Sequence, residues 1–308
     1  MGGAFFVLEH VMKPSLSLEQ QSALLRSRGL IIPDEAECRA FLAAHSYYRL
    51  SGWARYFQTA PHVGDDSFRP GTGFDDIRRV YEADEALRAR LVAPLTRAEL
   101  VLRTHVARVI GDRHGPRGRY LEQDFYTDVG DAEPTVMACL RDVGRSKERH
   151  ILHFKSGTGN EAHFADLPVW SAVEAFSFGT LSKCIERGAG GTLAADVAAS
   201  VGVATAGFAY RVRALVYLRN RCAHHSRLWH HSVVDAGPTP NNVRVKAKRL
   251  VGQFGPRSVL DVIASLDDLL VRSGASEATL PDLFAEWADG EDFWPGLAAP
   301  QVPIDHRR

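Results

Sequence analysis

The sequence lacks an excess of either charge. Its 37 Lys and Arg balance 37 Asp and Glu over 308 residues, so no global field draws it to a polyanion or a membrane surface. Cysteines are few, and Cys38, Cys139, Cys184 and Cys222 show no paired spacing. That excludes a disulfide framework and suits a reducing cytosol. Long apolar runs are missing as well. The N-terminal AFFVL stops at Glu9, too short for a signal-peptide core or a membrane span, so a cytoplasmic protein without membrane contact is expected. The glycine-rich GTGFDD and GAGGT lack the strand and lysine of a phosphate loop, which argues against an NTPase. Cys222, His224, His225, His230 and His231 cluster without CxxC or HExxH spacing, so neither metal nor other cofactor is expected.

What is present is helix punctuation. With 45% hydrophobic and 24% charged residues the chain has the composition of a globular protein. Ser17 with Gln20 forms a capping-box signal ahead of Gly29, and Asp34 with Glu37 repeats it ahead of Gly52. A long helix is expected from about 75 to 110, kinked or divided by Pro94. Others are expected over 134–154, 168–187 with a bend at Gly179, 192–200, 206–228, 243–254, 258–273 and 281–288. The predicted fold is all-α, a multi-helix bundle. Three regions are expected: 1–70, a core over 71–235, and a C-terminal helical region over 236–308.

Local charge is less even than the total. Between Thr205 and Arg257 ten Lys and Arg face one acid, Asp235; from Ser258 to Trp294 nine acids face Arg272 alone. The first segment is a footprint for polyanions, with Lys246, Lys248 and Arg249 as candidate phosphate contacts. The competing reading folds the acidic segment back onto it.

The stretch YLRNRCAHHSRLWHH (217–231) ends an apolar helical pattern, FAYRVRALVYL, whose Phe208, Val212, Leu215 and Cys222 share one face. Asn220 and His224 are helical neighbours. Arg219 is five residues before His224, about 140° around the helix and about 7.5 Å along it. One helix therefore does not bring them together, whereas two copies of it can. Cutting RNA without metal requires removing a proton from the 2′-hydroxyl, stabilising the phosphorane and protonating the leaving oxygen. Histidine titrates near neutrality and arginine stays charged and grips two phosphate oxygens. By spacing alone the motif reads more readily as a solvated helix end with a satisfied histidine.

The stretch resembles the signature of the Abi-like abortive-infection proteins (AbiD/AbiF type), whose C-terminal element carries the RNxxxH motif of the HEPN ribonuclease superfamily. Further blocks match in order: KPSLSLEQQSALLRSRGLII (13–32), YYRLSGW (47–53), FRPGTGFDDIRRVYEADEALR (68–88), RAELVLRTHVA (97–107) and PVWSAVEAFSFGTLSK (168–183). The resemblance implies a helical HEPN core, a homodimer and a ribonuclease role in phage defence. It makes Arg219, Asn220 and His224 the catalytic candidates. Arg221, His225, Arg227, Glu99 and Arg103 are supporting or RNA-binding candidates, since the helix bearing Glu99 packs near the motif in that family. Single-stranded RNA is the expected partner, with an antitoxin or regulatory RNA as a further one. Two alternatives stay open: a protein that holds a small noncoding RNA without cutting it, and a helical scaffold. Tyr47, Tyr48 and Trp53 can stack bases, although aromatics at a helix end more often pack a core.

Overall fold

The computed structural model describes residues 15–117, 119–130, 133–157, 163–164, 166–233, 237, 239–290 and 292–301. The AFFVL run, Lys13–Pro14, Asp235 and Glu291 lie outside the described residues. Fourteen α-helices and one two-stranded antiparallel sheet, β1 (Gln58–Ala60) with β2 (Asp65–Phe68), make up the described regular structure apart from short 3₁₀ turns. The fold is an all-α multi-helix bundle. None of the described helices is long and apolar enough to cross a membrane.

By contacts the chain divides into two compact units, with the break between Glu82 and Ala83. In the first, α1 (Leu18–Ser27) carries the expected capping box between Ser17 and Gln20. The helix expected from Asp34 to Gly52 is instead two, α2 (Glu35–His45) and α3 (Tyr47–Ala54). They part at Ser46, which takes a positive φ of 60° and caps α3 through its hydroxyl. Tyr81 is the hub of this unit. It accepts from Arg49 Nε at 2.8 Å, bonds His45 Nδ1 at 3.1 Å and meets Trp53 edge-on. Trp53 is buried and Tyr47 takes a hydrogen bond from Arg28, which leaves Tyr48 as the exposed aromatic of its block.

The helix α4 (Phe74–His114) runs on through Pro94, which corrects the expectation that this residue divides it. Leu87, Leu91, Leu95, Ala98, Leu102, Val106 and Ile110 are all fully buried at spacings of three and four. Burial of that stripe outweighs the roughly 3 kcal/mol that an interior proline costs. Pro94 itself is only half-buried.

From Ala83 onward the second unit is organised around α4 and α10 (Phe208–Ala223). The first of its remaining helices are α5 (Thr135–Arg145), α6 (Arg149–Leu152), α7 (Val169–Ala175), α8 (Phe178–Arg187) and α9 (Leu193–Val201). They are followed by α11 (Asn241–Val251), α12 (Val259–Arg272), α13 (Leu280–Trp287) and α14 (Phe293–Ala298). The stretch expected as one helix over 134–154 is α5 and α6, separated at Ser146–Glu148. The bend expected at Gly179 is a full break two residues earlier. Ser177 caps α8, its N–H donates to Asp142 Oδ2 at 2.9 Å, and Arg103 takes the carbonyls of Val173 and Phe176. Helix α10 packs against α8, α9 and α12, with Phe208, Val212, Leu215 and Cys222 all buried.

Candidate functional site at the end of helix α10

Helix α10 is mostly buried from Arg211 to Leu218 and then emerges. Arg219 is half-buried, Asn220 exposed, and His224 and His225 exposed. The helix ends at Ala223, five residues before the expected 228, with His224 as its cap. The stop is a Schellman motif. Ser226 N–H reaches Arg221 O at 2.8 Å and His225 N–H reaches Cys222 O at 3.1 Å, with His225 at a φ of 53° where glycine is usual. Asn220 and His224 still stack, since His224 N–H donates to Asn220 O at 2.9 Å.

Two groups hold Arg219. Its guanidinium carbon lies 5.5 Å from the centre of the fully buried Phe178 ring. Its Nε is 3.8 Å from Glu99 Oε2, too long for a hydrogen bond, and that buried nitrogen has no hydrogen-bond partner among the described residues. The other oxygen of Glu99 accepts from Arg103, which also binds the carbonyls at the end of α7. Glu99 is thus shared between a fully committed arginine and a loosely held one. Among the described residues the side chains of Asn220 and His224 have no hydrogen-bond partner. The end of α10 therefore presents an amide, an imidazole and part of a guanidinium to solvent.

The neighbouring candidates are placed differently. Arg221 donates to the carbonyl of Arg227 and to Tyr217 Oη, and Arg227 donates to the carbonyl of Trp229. Both arginines shape the turn that follows the motif. Asp84, fully buried and paired with Arg88, accepts from the N–H groups of Leu228 at 3.1 Å and Trp229 at 2.9 Å. The same turn is clasped from the C-terminus: Trp229 Nε1 donates to Asp292 O, His230 N–H to Gly296 O and Gln301 N–H to His230 Nδ1. A side chain at Gly296 would collide with the Trp229 indole. His231 stacks on Tyr217 and bonds its hydroxyl at 2.7 Å. Burial, reinforced by the nearby arginines, pushes His230 and His231 each down to about 4.

The basic segment is partly spent on the fold. Arg211 is buried against Asp268 at 2.8 Å and Arg244 lies 3.2 Å from Asp261, so α12 returns acid onto it. Lys246 and Arg249 remain exposed on α11, while Lys248 lies half-buried over the Phe254 ring. Sequence reasoning missed Phe178 and Asp84, although both fall inside blocks quoted above; neither has a motif of its own.

These features define an all-α protein whose polar Arg-Asn-x-x-x-His helix end is built on a shared glutamate. The family profile described as Abi-like protein matches residues 40–230, more than half of the chain, and the protein belongs to that family. No match was found among curated proteins or among solved structures. Glu99, Arg103 and the whole 219–227 stretch fall inside the matched region, whereas α11 to α14 fall outside it.

Proposed function

We propose that this protein is a metal-independent HEPN-type endoribonuclease of an abortive-infection or toxin-like system, cutting single-stranded RNA at Arg219, Asn220 and His224. The observation that carries the reading is the end of α10, where an imidazole and an amide stand exposed, without hydrogen-bond partners among the described residues, beside a half-held guanidinium. In the proposed reaction the 2′-oxygen attacks phosphorus and the P–O5′ bond breaks. The proton lost from the 2′-hydroxyl is matched by one gained at the 5′-oxygen, so no water or redox partner is consumed. His224 carries protons, Arg219 offsets the phosphorane charge, and Asn220 orients the histidine or the scissile phosphate. One chain supplies one such histidine, so a two-fold homodimer with two α10 ends facing each other supplies the acid and the base together. The family's association with abortive infection supports the phage-defence setting.

A second reading, an RNA-holding protein that organises a small noncoding RNA without cutting it, is favoured by one fact: among the described residues nothing hydrogen-bonds the His224 ring to fix its tautomer. Labelled single-stranded RNA incubated with purified protein separates the two. Products with 5′-hydroxyl and cyclic-phosphate ends, formed equally with EDTA, support cleavage; a shifted but intact RNA supports holding.

A further inference from the structure

Trp170 is the second residue of α7 and is 55% exposed, whereas Trp53, Trp229 and Trp294 are buried. It forms a wall of two depressions. One, about 540 Å³, runs along α4 past Thr104, Ala107, Arg108 and Gly111, and Arg103 and Glu174 also line it. The other, about 490 Å³, lies on the far side against Arg149, His150, His153 and Phe154 of the α6 region. The first starts at Arg103, the residue that shares Glu99 with Arg219, and reaches Asp112. From Glu99 to Asp112 the helix rises about 20 Å, so the trough leads away from the end of α10 with an indole standing in it.

Its charge is nearly balanced. Arg108 and Arg149 have no acidic partner among the described residues, and they are offset by Asp112, Glu148 and Glu174. A surface that tracked phosphates would carry a clear cationic excess. An exposed indole between two largely apolar clefts edged by charged and polar side chains suits a flat heteroaromatic ring, whose face stacks and whose edge meets side-chain donors and acceptors.

We infer that Trp170 is a base-stacking platform for single-stranded RNA, seating a nucleotide further along the strand from the one held at Arg219 and His224. The inference rests on the reading of this protein as one that handles RNA, and it deepens that reading by giving the substrate a path. It gains affinity by stacking and not by neutralising phosphate.

The test uses a short fluorescent 2′-O-methyl oligoribonucleotide, which the proposed reaction cannot cut, titrated into full-length protein over a range of salt concentrations. Trp170→Ala should weaken binding about five- to one-hundred-fold while leaving the salt dependence unchanged, and Trp170→Phe should recover part of the loss. Binding should also quench the tryptophan emission of wild type and not that of Trp170→Phe. Trp170→Gln, with melting checked for both variants, guards against a folding defect. Wild-type affinity in Trp170→Ala and Trp170→Gln overturns the inference alone and leaves the trough to a protein partner. A flattened salt slope overturns it too, by making the contact a phosphate contact. Wild-type protein that binds no oligonucleotide overturns the proposed function itself.

Discussion

Residues 224–231 contain two histidine pairs of identical chemistry and opposite circumstance. His224 and His225 sit exposed at the end of α10. His230 and His231 lie in the next turn, against Trp229, Gln301 and Tyr217, and are held down to about 4 by burial and by neighbouring arginines. The arginines divide the same way: Arg219 keeps most of its hydrogen-bonding capacity, whereas Arg221 and Arg227 are bound to backbone carbonyls. A run of polar residues is thus two structures in sequence, a presented end and the brace that fixes it. Residue type does not separate them, but burial and bonding do.

The sharpest way to break this comparison is to exchange the consequences. Arg219→Ala or His224→Ala should remove about 10²–10⁴-fold of the cleavage rate with melting almost unchanged. Asp84→Ala, which strands buried Arg88 and two N–H groups, should cost about 3–5 kcal/mol of stability, and Trp229→Ala a similar amount. Cleavage assays and denaturant titrations on the same four variants measure both effects. If His224→Ala unfolds the protein and Asp84→Ala does not, the division between presented end and brace is wrong.

Acid separates the pairs next. Because the folded His230 and His231 sit near 4 and an unfolded histidine near 6.5, the native state binds fewer protons than the unfolded state between those values. Their contribution is therefore present above about pH 6.5 and is lost as pH falls toward 4. Asp267 works in the opposite direction. Burial raises it to about 6 although it accepts the N–H groups of Thr279 and Leu280, so its own contribution falls as pH rises through the same window. Comparing variants at one pH cancels it. His231→Gln should lose about 1 kcal/mol less than wild type between pH 7 and 5, after allowance for the solvent each ring still meets. Urea midpoints at the two pH values give the number, and parallel losses would remove the brace reading for His231.

How much of this was legible depended on glycine and proline. Where they mark helix ends in their usual roles the sequence reads correctly, as with Ser17, Gln20 and Gly29 around α1. Where other residues do their work it misleads. The break after His45 has Ser46 at positive φ, the stop of α10 has His225 at the glycine position, and the break before α8 depends on Arg103 and Asp142 from other helices. Pro94 misleads the other way, since the cost of one lost bond is small beside a buried stripe of seven residues. At the site, Arg219, Asn220 and His224 were legible as a motif. Phe178 beneath Arg219 was not, because its role exists only once α8 is packed against α10.

The smallest expected effect concerns α11, where the comparison recurs among lysines. Lys246 and Arg249 are exposed and three residues apart on one helix face, whereas Lys248 lies over Phe254. Replacing all three with Gln should therefore remove two phosphate contacts and not three. For single strands each contact contributes about 0.7 to the salt slope, so the slope should fall by about 1.4 and RNA binding should weaken evenly across sequences. Lys248→Gln alone should leave the slope unchanged and cost a few tenths of a kcal/mol of stability, as lost cation–π contact at a half-exposed site does. Cleavage at saturating RNA should be indifferent to all of these changes, because α11 lies outside both the motif and the turn that braces it. A slope that falls by about 0.7 for Lys248→Gln would place its ammonium on RNA and its ring contact in the free protein only.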